Sequence, residues 1–207
     1  IINTFIIIDI VFYIVNKNII FYFVIFINVF INNIIGRFTA DHCRVAILSS
    51  GGHRYGDIDL ADPNFESQPY NKWLSYGRAK TANALYALEL NKRMPFGHAN
   101  AVHPGAIMTE LSRHLQPEDF AEMGSSMKDS GIVMKSLEAG AATQVWAITA
   151  PELEGRGGLY LEDCQVGIES PGPTTGYASY IKNHDNAESL WYLSEQLVGQ
   201  NFTFSRS

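Results

Sequence analysis

Tyr76 and Lys80 stand four residues apart in the run Leu74-Ser75-Tyr76-Gly77-Arg78-Ala79-Lys80-Thr81-Ala82-Asn83. The run reads as helix, and 3.6 residues per turn sets both side chains on one face. A lysine ammonium beside a phenol favours the phenolate and so lowers the phenol's pKa. Tyr76 is therefore a candidate proton donor or acceptor near neutral pH, where a free tyrosine keeps its proton. The same spacing also describes an ordinary surface pair. With ten tyrosines in the chain, the pair alone decides little.

The elements around the pair carry more. Upstream is an apolar run ending in serines, Arg44-Val45-Ala46-Ile47-Leu48-Ser49-Ser50-Gly51-Gly52; downstream is Ala99-Asn100-Ala101-Val102-His103-Pro104-Gly105. Taken singly these are a strand end before a glycine turn and a turn dipeptide. Taken in order they describe one crevice, because parallel α/β sheets bind ligands outside the carboxyl ends of their strands. A hydroxyl, a phenol and an ammonium would converge there. The wider pattern predicts strands at 44–49, 98–103 and 158–161, and helices at 74–93, 138–150 and 185–198, with short helices within 109–126. Alternating strands and helices argue for an α/β fold built on a parallel sheet.

This ordered set resembles the short-chain dehydrogenase/reductase family, and within it the retinol-dehydrogenase-like and WW-domain-oxidoreductase-like branch. The matching residues are Arg44 to Gly52, Trp73 to Asn83, Ala101 to Thr109 and Gly157-Gly158-Leu159-Tyr160-Leu161, and the resemblance runs over roughly residues 42–200. It implies a Rossmann-like parallel sheet, of which only the C-terminal half is present, with helices on both faces. It implies an oxidoreductase that interconverts an alcohol and a carbonyl with NAD or NADP. Ser50 would bond the substrate oxygen, with Ser49 as its competitor, and Tyr76 would be the catalytic acid or base. Lys80 would tune Tyr76 and hold the cofactor ribose. Pro104, Gly105, Ile107 and Thr109 would contact the cofactor. The long connection from His53 to Ser75, with Asp57, Asp59, Asp62, Phe65, Tyr70 and Trp73, is similar to that branch and implies a small lipophilic alcohol or carbonyl as substrate. The resemblance also leaves a homo-oligomer open.

Several family features are missing. The sequence holds no Gly-rich turn to seat a pyrophosphate on a helix N-terminus, and its first glycine is Gly36. For the family's upstream catalytic asparagine, only Asn28, Asn32 and Asn33 are available by position. Residues 1–36 differ in composition from the catalytic part, residues 37–207. They hold fourteen Ile, six Phe and six Asn but no Ala, Leu, Ser, Glu or Arg, whereas residues 37–207 hold seven Ile. Three accounts stand: sequence foreign to the family, such as translated intron; a membrane-associated segment; or a pair of buried strands. Residues 19–31 are apolar except Asn28, short of the ~20 residues a span needs. The alternative to an active enzyme is a truncated, inactive remnant unable to bind the dinucleotide.

The remaining composition narrows partners. A net charge of −6 without a basic cluster argues against nucleic acid. Two cysteines, Cys43 and Cys164, are too few for a disulfide scaffold; a reducing, cytoplasmic setting follows, with membrane association as the alternative. The six histidines show no metal-ligand spacing, and His103 reads as a turn residue rather than a base. Met108, Met123, Met127 and Met134 lie in or near the stretch that the resemblance makes a substrate lid. Flexible thioethers suit an adaptable pocket and core packing alike.

Overall fold

The computed structural model describes residues 5–8, 43–108, 116–170, 172 and 174–204. Five strands form one sheet in the order β1 (Phe5–Ile8), β2 (Cys43–Leu48), β3 (Gly97–His103), β6 (Tyr160–Glu162), β7 (Gln165–Val166). The first three pairings are parallel. A small parallel ladder, β4 (Ala106–Ile107) with β5 (Met134–Lys135), clasps the base of an excursion after β3. Among the described residues four α-helices accompany the sheet: α1 (Lys72–Arg93), α2 (Pro117–Ser130), α3 (Leu137–Thr149) and α4 (His184–Val198). No helix among the described residues is long and apolar enough to cross a membrane.

β2 is buried along its whole length, as a strand covered on both faces must be. Its side chains alternate between two cores. Cys43, Val45 and Ile47 join Ala99 and Ala101 of β3 under α1 and α4, while Ala46 and Leu48 join Val102 and Leu161 under α3. Helices therefore cover both faces, as expected from the sequence. Arg44, on the α3 face, donates to the Ala150 carbonyl at 2.7 Å and pairs with Glu154, so its charge is matched where the core begins.

The helix that carries Tyr76 and Lys80 has sequence-encoded ends. Asn71 caps it by accepting from the Leu74 N–H at 2.9 Å. It stops at Met94, which precedes a proline and is extended, as residues before proline are. On its far side Tyr86 stacks on Trp191 of α4, with ring centroids 5.1 Å apart.

Three details differ from what the sequence alone predicts. The sheet is not wholly parallel: β6 and β7 form an antiparallel hairpin. Its two-residue turn, Asp163-Cys164, has both residues at positive φ (48° and 54°), the turn geometry that suits hairpin twist, reached here without glycine or asparagine. The strand expected at 158–161 begins two residues later, because Gly158 takes a left-handed turn at φ 69°. Of the stretch 109–126, where short helices are expected, residues 109–115 lie outside the described residues, and the described part belongs to a longer helix, Pro117–Ser130, whose first turn is fastened by the Gln116 N–H donating to Asp119 and by a Lys72–Asp119 ion pair. Within 1–36 the backbone of Phe5–Ile8 forms strand β1; the rest of that segment, including Asn28, Asn32 and Asn33, lies outside the described residues.

Candidate active site

β2 and β3 end side by side, and the chain leaves β2 into a 3-10 turn, Gly51–Tyr55. Ser50 caps that turn: its hydroxyl accepts from the Gly52 N–H at 3.0 Å. Tyr76 lies against the same glycine. A Cβ built on Gly52 would fall 2.5 Å from Cε1 of Tyr76, 2.9 Å from Cδ1 and 3.4 Å from Oγ of Ser50. Only a residue without a side chain leaves room for that approach. One helical turn on, Nζ of Lys80 sits 5.7 Å from the Tyr76 ring centroid and 3.5 Å from the Leu48 carbonyl, with the residue only 5% exposed. Ser50, Tyr76 and Lys80 are thus brought together at the carboxyl end of the parallel strands.

Ser49 is placed differently. Its buried hydroxyl donates to the Lys80 carbonyl at 2.8 Å, and its N–H donates to Val102 O. It ties the strand end to the helix backbone, whereas Ser50 uses its hydroxyl as an acceptor and keeps an O–H to donate. Asn83 adds a second tie, donating to Leu48 O at 2.7 Å, and its Oδ1 is buried without a hydrogen-bond partner.

The Pro-Gly turn stands on the adjacent strand end. Gly105 has φ 90°, which disfavours any side chain there, and Lys135 of β5 lies across it, its Nζ 2.9 Å from where a Cβ would sit. Lys135 is paired with Asp163 of the β6–β7 turn. Ile107 packs on Gly140 of α3. Pro104 and Gly105 are half-buried beside the Ser50 turn; Thr109 lies outside the described residues. Met108 and Met134 are exposed, at the two ends of the excursion. The aromatics of the 53–75 connection divide: Phe65 is fully buried with the Arg78 guanidinium 4.6 Å from its ring centroid, while Tyr55 and Trp73 pair at 6.0 Å on the rim.

Two histidines that sequence reading did not place in the site support it. His103 Nδ1 accepts from Gly51 N–H at 3.1 Å and Gly105 N–H at 3.3 Å, joining the two turns. His53 is fully buried. Its Nδ1 lies 2.6 Å from Ser50 O, and its Nε2 accepts from Ala178 N–H at 3.1 Å. Burial, foremost, pushes each imidazole down to about 4. The signal for His53 was available: a histidine one turn after a serine pair, in a segment that must bury itself under a helix.

Both rings are neutral in the fold, and an unfolded histidine titrates near 6.5. Between pH 6.5 and about 4 the unfolded chain binds protons that the folded chain refuses, so stability falls as pH falls through that window. The expected loss from His53 is on the order of 3 kcal/mol. Urea midpoints at pH 7 and pH 4.5 measure it, and His53→Gln should show a smaller drop than the native chain. Equal drops in the two would contradict the assignment.

No family model matches the chain. Among curated proteins it is 39% identical over 168 residues to oxidoreductase calI of Penicillium decumbens, covering 75% of this chain and 48% of that protein. It is 37% identical to the short-chain dehydrogenase/reductase prx1 of Penicillium roqueforti (75% and 46%) and 33% identical to human retinol dehydrogenase 14 (75% and 44%). The chain spans about half the length of the curated relatives it matches. Across the three quarters of its residues that align, with strands, helices and turns in the order its motifs predicted, the curated homologues of this chain are short-chain dehydrogenase/reductases.

Proposed function

We propose that this chain carries the proton-handling half of an NAD(P)-dependent oxidoreductase site that interconverts a small lipophilic alcohol and its carbonyl. The observation that carries this reading is the meeting of the Ser50 hydroxyl and the Tyr76 ring over Gly52, with Lys80 one turn below. Ser50 donates to the substrate oxygen and fixes its place. Tyr76 gives the proton to that oxygen during reduction and takes it during oxidation. The Lys80 ammonium would favour the phenolate and donate to a sugar hydroxyl of the cofactor. The exposed Met108 and Met134, with Tyr55 and Trp73, supply apolar surface for a lipophilic substrate.

The residues that would hold the nicotinamide end of a dinucleotide are Lys80, buried at the strand ends, and the half-buried Pro104-Gly105 turn, with Ile107 and Thr109 following in sequence. When bound, the nicotinamide supplies or accepts the hydride. The test is a steady-state assay with NAD(H) and NADP(H) on a panel of lipophilic alcohols and aldehydes, using the native chain and Ser50→Ala. Turnover unaffected by Ser50→Ala would remove Ser50 from the site.

A second reading is favoured by one observation: the sequence contains no Gly-rich turn for the pyrophosphate, and it matches about half of its relatives' length. On that reading this chain, tested alone, binds neither cofactor. Calorimetric titration is expected to give dissociation constants weaker than about 1 mM for both. A micromolar constant would overturn it and would place a substitute pyrophosphate site within the chain.

A further inference from the structure

The segment from β6 to α4 returns across the carboxyl end of the sheet as a strap. It leaves at Glu162, which pairs in register with His103, turns back through β7, and is pinned at Gly176, whose N–H donates to the Glu162 carboxylate at 2.5 Å. Arg54 clamps it further, donating to Ser170 O at 2.9 Å and Thr175 O at 2.8 Å. It then reaches His53, where Ala178 N–H donates to Nε2.

His53 is a junction as well as an anchor. An imidazole nitrogen that accepts from an N–H carries no proton, so the ring proton must sit on Nδ1 and point at Ser50 O, 2.6 Å away. The His53 carbonyl meanwhile accepts the Tyr180 hydroxyl from the strap at 2.8 Å, and it lies 3.2 Å from the Thr81 hydroxyl of α1, whose one proton it shares with the nearer Gly56 carbonyl at 2.8 Å. Thr81 follows Lys80 directly. One buried residue therefore bonds the Ser50 turn, the helix bearing Tyr76 and Lys80, and the strap, using both ring nitrogens and its carbonyl.

We propose that His53 is a positioning residue that couples the Ser50 turn to the strap (residues 165–170, 172 and 174–182), so that loosening the strap loosens the backbone holding the Ser50 hydroxyl. The inference rests on the reading of Ser50 as the substrate-oxygen donor. Its tests use structural readouts, so they stand or fall independently of turnover. A ligand that presses on the strap would, through this junction, set the placement of Ser50.

Two measurements on the full chain decide it. Nitrogen-15 histidine spectra at neutral pH should show His53 protonated on Nδ1 and bare on Nε2; the opposite tautomer overturns the proposal. The second is a double-mutant cycle read by amide hydrogen exchange. Arg54→Ala releases two strap bonds and should speed exchange at Ala178 and, through His53, at Gly52 by about tenfold. In a His53→Gln background, where the amide reaches the Nε2 position but cannot replace Nδ1–H, the effect of Arg54→Ala on Gly52 should shrink to less than about twofold. A full effect at Gly52 in that background means the coupling runs along the chain and not through the ring, and overturns the proposal. So does unchanged exchange at Gly52 in Arg54→Ala alone. The Leu161 amide in the central sheet reports whether each variant keeps its fold. Should His53→Gln unfold, the tautomer and the Arg54→Ala response at Gly52 decide together, and failure of either refutes the junction.

Discussion

In a full-length counterpart carrying these residues, Tyr76→Phe is expected to lower turnover of lipophilic aldehydes by about 10²–10⁴-fold, the range that a positioned proton donor contributes. The substitution removes one oxygen and leaves the ring that packs against Gly52, so the fold and cofactor affinity should change little. Lys80→Ala is expected to lower turnover and cofactor affinity together. On the proposed reading the same ammonium would favour the phenolate and donate to the ribose, and its loss leaves Leu48 O with the Asn83 donor. Steady-state rates on an aldehyde panel, with cofactor binding followed by fluorescence, separate the two variants. Equal loss of cofactor binding in both would refute the division of labour. Substantial turnover by Tyr76→Phe would remove Tyr76 from the chemistry.

Trp191→Ala is expected to cost about 3–5 kcal/mol, as buried large-to-small aromatic changes do. Trp191 is fully buried between helices and makes four kinds of contact. It stacks on Tyr86, meets Phe204 edge-on at 6.1 Å, carries the Arg93 guanidinium 4.8 Å from its ring centroid, and donates from Nε1 to Glu195 at 2.9 Å. Glu195 also accepts from the Phe202 N–H at 2.9 Å, so the indole fastens the C-terminal segment as well as α4. The expected drop in Tm is roughly 10 °C for a chain of this size. Trp191→Phe, which keeps the stack and loses the N–H, should cost less than half as much. Chemical denaturation of the three proteins checks this. A loss under about 1 kcal/mol for Trp191→Ala would mean that α4 adds little to the core.

The alternating elements, the serine end of β2, the Tyr76–Lys80 helix face and the Pro104-Gly105 turn were legible from the sequence by itself. All depend on local rules. A four-residue spacing fixes a helix face, an asparagine and a proline bound α1, and an apolar run ending in serines and glycines marks a strand end. Composition likewise sets residues 1–36 apart from residues 37–207 without any structure.

Tertiary structure decided what long-range contacts control. Ser49 and Ser50 are neighbours of identical chemistry, and only the packing of α1 on β2 gives one hydroxyl to the Lys80 carbonyl and leaves the other in the crevice. The antiparallel turn at Asp163-Cys164 carries no glycine signal, because the paired strands hold those residues in the left-handed region. The role of His53 is the clearest case. Its partner Ala178 lies 125 residues away, so no spacing rule could join them. The fold joins them because the strap must cross the carboxyl end of the sheet, and a buried imidazole there has to satisfy both of its nitrogens.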